Sequence, residues 1–217
     1  TNGSKVWDKR FGGSESDVAN DVVATSDGGY LLVGKSESGA DGDKSEASRG
    51  GWDYWAVKVD ANGSKVWDKR FGASTTDYCV NVVVTSDGGY LLAGHSNSGA
   101  NGDKSEGVHG YFDYWVVKIG ASGNKVWDKR FGGSGKDHCF TAVPTSDGGY
   151  LLAGRSKSGA NSDKSEASQG DYDYWAVKID ASGAKLWDKR FGGSGLDDCL
   201  SIVATTDGGY LLAGWSG

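Results

Sequence analysis

The chain has 217 residues, enough for a substantial core, and its 37 glycines and 9 tryptophans with few long aliphatic runs favour many short strands joined by tight turns. A net charge of −6, with lysines at fixed repeat positions and not in clusters, gives no basic footprint for DNA or RNA. The single proline, Pro144, and the lack of any apolar run near about eighteen residues exclude a collagen-like chain and a membrane span.

In chain order, the first element is Lys5-Val-Trp-Asp-Lys-Arg-Phe-Gly12. It returns at Lys65, Lys125 and Lys185, with Leu186 for valine in the last copy and a constant spacing of 60 residues. Asp17 to Thr25 is β-branched and apolar and ends in Ser26-Asp27-Gly28-Gly29, a tight-turn signal. Gly29 to Gly34 returns as a second strand, and Asp27-Gly-Gly-Tyr-Leu-Leu recurs at Asp87, Asp147 and Asp207. A polar stretch from Ser36 to Gly51 leads to the most hydrophobic strand, Asp53 to Val59. Ala61-Asn62-Gly63 is a three-residue hairpin loop that places Gly63 in the left-handed region, and Lys65 to Phe71 is the fourth strand. Four strands per unit, joined by links such as Gly72 to Thr76, predict an all-β fold: a β-propeller of four-stranded antiparallel blades. The chain is one repeat domain, 1–217, with module boundaries near residues 12–16, 72–76, 132–136 and 192–196. A four-bladed ring is expected, in which the N-terminal strand Lys5 to Phe11 joins the last two strands to complete the final blade. If the ring stays open, the free strand edges favour self-association. The chain has no methionine, so Thr1 is not an encoded start, and a chain that is processed, excised or built without its beginning is expected.

The order of Asp-Gly-Gly turn, Tyr-Leu-Leu-x-Gly strand, long loop, Asp-Tyr-Trp strand and Trp-containing strand resembles kelch-type propeller blades. Asp53-Tyr-Trp-x-Val-Lys followed by Trp67-Asp-Lys-x-Phe-Gly is similar to tandem repeats of large secreted or surface proteins of Bacteroidetes and related bacteria. The resemblance spans essentially the whole chain and implies a secreted or cell-surface location. It implies architecture more firmly than any activity.

Two features of the long loop carry candidate chemistry. Asp41, Asp43 and Glu46, with Asn101, Asp103 and Glu106 and with Asn161, Asp163 and Glu166, set oxygen ligands at alternating positions. Calcium takes six to eight oxygens at about 2.3 to 2.6 Å, so each loop is a candidate calcium site. An Asx-turn loop capping its own backbone is the alternative reading, and Lys44, Lys104 and Lys164 sit among the ligands. At the loop end stand Trp52, Phe112 and Tyr172, varied in kind but constant in class. Aromatic faces beside polar groups suit lectin-like, multivalent glycan binding; the alternative is that they anchor the blade edge.

The other repeated groups read as structural. Trp55, Trp115 and Trp175, with Trp7, Trp67, Trp127 and Trp187, are expected to pack between blades, and Asp17, Asp77, Asp137 and Asp197 to accept backbone N–H groups in the inter-blade links. Cys79, Cys139 and Cys199 share a slot with Ala19 and are expected to be buried free thiols. His95, His109 and His138 fall at three different module positions and are expected on solvent-facing sites. The repeated acids have no repeated base or nucleophile beside them, so no catalytic set is expected. A non-enzymatic extracellular binding or structural module, partnered by a glycan or surface protein, is the functional expectation.

Overall fold

A computed structural model describes residues 2–217, which form fourteen strands and no helix among the described residues. Three four-stranded antiparallel sheets follow one another in the chain. The first holds β1 (Asp17–Ala24), β2 (Tyr30–Ser36), β3 (Asp53–Val59) and β4 (Lys65–Phe71). The second holds β5 (Asp77–Val84), β6 (Tyr90–Ser96), β7 (Asp113–Ile119) and β8 (Lys125–Phe131). The third holds β9 (Asp137–Pro144), β10 (Tyr150–Ser156), β11 (Asp173–Ile179) and β12 (Lys185–Phe191). A two-stranded sheet, β13 (Asp197–Ala204) and β14 (Tyr210–Ser216), ends the chain. The turns follow the glycines as the sequence predicts. Gly28 has φ 83° and Gly63 φ 78°, and both lie in the left-handed region that costs glycine little.

Each sheet lays one face on the next. Leu31, Val33, Tyr54 and Phe71 of the first sheet pack with Cys79, Leu92 and Trp115 of the second, and Leu91, Tyr114 and Phe131 pack likewise with Cys139, Leu152 and Trp175 of the third. β7, covered on both faces and flanked on both edges, is buried at every residue, which is why its sequence does not alternate. Trp115 and Trp175 play the expected part: Trp115 tilts against Tyr54 at 4.7 Å and Trp175 against Tyr114 at 4.8 Å, whereas Trp187 is exposed. Tyr54 Oη donates across the seam to Trp115 O at 2.8 Å, and Tyr114 Oη to Trp175 O at 2.8 Å. The three thiols are buried and free as expected, and burial raises their pKa, that of Cys199 to about 11.

The first strand of each sheet carries a bulge that the sequence reading did not anticipate. Ala19 pairs with Gly34 and Asp21 with Val33, so Asn20 is the extra residue; Val80, Phe140 and Leu200 are its counterparts. The bulge explains the invariant glycine opposite it, because a Cβ on Gly34 would lie 1.8 Å from Val18 O. It also turns polar side chains toward the next sheet: Asn20 Nδ2 donates to Cys79 O at 2.7 Å, and Asp21 Oδ2 accepts from Val82 N at 2.9 Å.

One expectation about the ends is corrected. Lys5–Phe11 forms no strand, and β13–β14 remains a two-stranded sheet, so the N-terminal segment does not complete it. Trp7 instead donates its Nε1 to Ala61 O at 3.0 Å and lies against Gly63, the seat that Trp67 takes on Gly123 and Trp127 on Gly183. The segment thus docks on the first sheet as a fourth strand of a preceding unit would. The free edge of β14 is that of a second strand, whose neighbour in every full sheet is an Asp-Tyr-Trp strand. Lys5–Phe11 carries the wrong sequence for that edge.

Candidate functional site

The long loops are built around internal charge pairing. Lys44 is buried and donates to Ser38 O at 2.9 Å and Ser48 Oγ at 2.6 Å, which makes it the plug around which its loop winds. Lys104 and Lys164 occupy the same place, and burial lowers the pKa of Lys104 to about 8. Asp68 staples loop to sheet: its Oδ2 accepts from Ser45 N and Trp55 Nε1, and its Oδ1 from Lys65 at 2.9 Å. Asp128 and Asp188 repeat these contacts.

The nine candidate calcium ligands are dispersed by this wiring. Asp41 accepts from Ser14 N at 2.7 Å and from Ser14 Oγ, while Asn101 and Asn161 accept from Ser74 N and Ser134 N. Asp43 accepts from Gly12 N at 3.2 Å. Asp103 and Asp163 receive both the matching glycine N–H and an arginine, Arg70 at 2.7 Å and Arg130 at 2.6 Å. Glu46 meets Lys69 and Arg70, Glu106 meets Lys129 and Arg130, and Glu166 meets Lys189 at 3.0 Å. Among the described residues no three His, Cys, Asp or Glu side chains converge in a metal-sized group. Asp103 and Asp163 latch each sheet to its predecessor, while the glutamates pair with the fourth strand of their own sheet.

The inter-sheet aspartates do as predicted: Asp17, Asp77, Asp137 and Asp197 accept from Gly13, Ala73, Gly133 and Gly193 N at 2.8 to 2.9 Å. Asp53 and Asp113 close the other side of the link, accepting from Arg49 N and His109 N. Burial raises the pKa of Asp53 to about 7 and of Asp113 to about 6.

The loop-end aromatics come together in a row. The carbonyls of Trp52, Phe112 and Tyr172 accept from Asp77 N, Asp137 N and Asp197 N at 2.6 to 2.7 Å, which pins each loop end to the following sheet. Their half-buried rings alternate with the second residue of that sheet's first strand. Trp52 lies 6.5 Å from Tyr78, Tyr78 stacks on Phe112 at 6.2 Å, Phe112 lies 5.3 Å from His138, and His138 stacks on Tyr172 at 6.1 Å. Cations from the second strands sit against the row: Lys35 Nζ is 4.1 Å from the Tyr78 ring centre, and the Arg155 guanidinium 4.4 Å from that of Tyr172. Arg155 also pairs with Asp198 at 3.0 Å. A half-exposed row of flat rings with embedded cations can stack planar or sugar-ring ligands along one end of the sheets.

Two of the three histidines are a correction. His95 is only 9% exposed and packs edge-on against Tyr78, Phe112 and His138, whose ring centre is 4.7 Å away. His138 accepts from Arg155 Nε at 3.1 Å, and His109 meets both terminal nitrogens of Arg130 at 2.9 and 3.0 Å. His95 and His138 are parts of the inter-sheet packing and not solvent-facing drift, whereas His109 is exposed as expected. The signal was available in the strand pairing. Tyr78 faces His95, His138 faces Arg155 and Asp198 faces Trp215, so two variable positions change together because they are cross-strand partners.

Burial holds the imidazoles neutral, with the pKa of His95 lowered to about 4 and that of His138 to about 3, the latter helped by His95, Arg155 and Lys136. Unfolded histidine takes a proton near pH 6.5 while these do not, so each subtracts stability as pH falls from about 6.5 toward 4. Asp53 and Asp113 oppose them, because the folded state takes up their protons first and gains stability over the same window. His138→Tyr, which copies Tyr78, removes one opposing histidine. Acidification from pH 6.5 to 4.5 is then expected to favour the variant over the parent by about 2 kcal/mol, from the linkage slope of about 1.4 kcal/mol per pH unit per proton. Urea unfolding at both pH values measures it; equal pH slopes would show that His138 titrates normally.

No family model matches the chain. The regulatory protein FlaEY of Caulobacter vibrioides is 25% identical to it over 227 residues, which cover 98% of this chain and 23% of that protein. The chain therefore spans about a quarter of that relative's length. A solved structure of a protein of unknown function from Bacteroides caccae matches 90% of this chain and 52% of its own, with a TM-score of 0.44 and 14% identity.

Proposed function

We propose that the chain is a non-enzymatic binding module, a β-propeller-type scaffold in which each four-stranded sheet is a blade and the aromatic row is the binding edge. One observation carries this reading. The recurring acids and bases are paired with one another or with backbone, whereas residues that differ between copies gather along the row. Groups held in ion pairs are poor candidates for proton transfer, while half-exposed rings remain available for stacking. Lectin-like, multivalent glycan binding is the ligand class that suits them, since weak sites repeated on one rigid body gain from effective concentration. A secreted or cell-surface location is part of the proposal and rests on the resemblance of the repeats.

Calcium would have to displace arginine and N–H donors from the loop carboxylates, so chelation is expected to leave the melting midpoint unchanged. Titration of ring fluorescence with a panel of neutral and acidic oligosaccharides tests the binding reading. Saturable changes weakened by Trp52→Ala, Phe112→Ala or Tyr172→Ala support it. A silent panel, together with a solution mass above the 22.7 kDa of one chain, would instead make this a structural module that assembles through its strand edges.

A further inference from the structure

Among near-identical modules, the places where one copy departs from its siblings are the places where a distinct ligand can be read. Three departures meet in one cleft. At the seam between the second and third sheets, Tyr111, Ser134, Gly135, Lys136, Lys157 and Tyr172 line a cleft of about 330 Å³, toward the small end for ligand sites. Tyr111 stands where the other copies have Gly51 and Asp171, Lys136 where they have Ser16, Thr76 and Leu196, and Lys157 where they have Glu37, Asn97 and Gly217. The Tyr111 ring is 70% exposed, with the Lys136 ammonium 5.6 Å from its centre, and the Lys157 ammonium is 5.6 Å from that of Tyr172. Gly135 opens the floor between the rings, where Thr75 of the preceding seam fills its own with a hydroxyl bonded to Asn97 at 2.7 Å.

The charge at this position changes sign from seam to seam. It is acidic at the first, where Ser16 and Glu37 take the places of Lys136 and Lys157 and Glu15 that of Gly135, neutral at the second, with Thr75, Thr76 and Asn97, and carries two lysines at the third. In a chain of net charge −6 a local pair of lysines between two phenol rings is a selective feature and not part of a general basic surface.

We propose that this cleft is an anion-selective glycan site that holds a sugar unit bearing a carboxylate or sulfate, the ring stacked on Tyr111 or Tyr172 and the anion between Lys136 and Lys157. The proposal rests on the binding-module reading and narrows it to one seam and one ligand charge. A nucleotide also offers a ring and an anion. The cleft, however, has no glycine-rich phosphate loop or helix N-terminus, and a lone lysine pair gives no track for a phosphate backbone. Asp171 tunes the site: it forms an ion pair with Lys157 and competes with the incoming anion.

The repeats supply the test variants. Tyr111→Gly, Lys136→Thr and Lys157→Asn together copy the preceding seam, which already folds with those residues, so the melting midpoint should hold. Isothermal titration with trigalacturonate is expected to show one site, weakened at least tenfold in this triple variant and strengthened severalfold in Asp171→Gly. Building Gly51→Tyr, Thr75→Gly, Thr76→Lys and Asn97→Lys into the preceding seam is expected to raise the stoichiometry from one to two. Equal affinity for maltotriose, binding of AMP as tight as that of trigalacturonate, or an unchanged triple variant would overturn the proposal. If trigalacturonate fails to bind at millimolar concentration while a neutral oligosaccharide still binds through Trp52 or Phe112, the anionic site falls and the wider binding reading stands.

Discussion

Gly94→Ala is expected to destabilise the protein by about 3 kcal/mol, although it adds one methyl group to a residue in a regular strand. The added Cβ would lie 1.9 Å from Tyr78 O and 2.7 Å from Tyr54 Oη. The first contact forces apart the pairing of Tyr78 and Cys79 with β6 at the Val80 bulge. The second obstructs the side chain that crosses from the first sheet to donate to Trp115 O at 2.8 Å. Neither obstacle is the loose end of a flexible chain: one is backbone, and the other is a fully buried ring held at its hydroxyl. Gly120→Asp is the control. It restores the residue found as Asp60 and Asp180, whose Oδ1 accepts two backbone N–H groups of its own turn, so it should be neutral or stabilise by about 0.5 to 1 kcal/mol. Urea midpoints of both variants decide the matter. A parental midpoint for Gly94→Ala would mean that β5 and β6 do not pair around the bulge.

The same bulge marks where the sequence stops being readable. Asp53–Val59 could be bounded to the residue because polar residues flank its apolar run, and Lys65–Phe71 because Gly63 leaves little choice of turn before it. Nothing comparable announces Asn20, Val80, Phe140 and Leu200, which share no chemistry; the constraint is steric and sits on the partner strand as a glycine. The loop acids illustrate a second limit. Asp-x-Asp-x-Ser is a ligand pattern only if the oxygens converge, and convergence depends on Arg70 and Arg130, which lie more than thirty residues away from Asp103 and Asp163. Lys44, read as an intruder among ligands, is the centre of the loop because its ammonium satisfies carbonyl and hydroxyl oxygens that would otherwise be buried alone. The loop-end aromatics were visible as a class, but their assembly into a row required each loop end to dock on the following sheet, Trp52 beside Tyr78 and Phe112 beside His138, contacts between successive copies that single-copy reading does not contain.

Four leucines with identical neighbours in sequence offer the second large effect. Leu31, Leu91 and Leu151 are at most 1% exposed, whereas Leu211 in β14 is 60% exposed. Truncating a buried leucine removes its transfer energy and leaves a cavity, so Leu91→Ala and Leu151→Ala are expected to cost about 2 to 5 kcal/mol each, and Leu211→Ala less than about 1 kcal/mol. The contrast isolates the sheet-on-sheet interface, because strand propensity, turn chemistry and local sequence are shared by all four sites and cancel. In a one-dimensional stack each sheet's stability is its own term plus that of its neighbours, so the penalty should track the number of faces covered. The measurement is made at two protein concentrations. A Leu211→Ala penalty as large as that of Leu91→Ala, and growing with concentration, would mean that a second copy covers the β14 face in solution; a large penalty independent of concentration would mean that the chain folds back to cover that face itself. Only the small penalty fits a stack in which β13–β14 leaves that face to solvent.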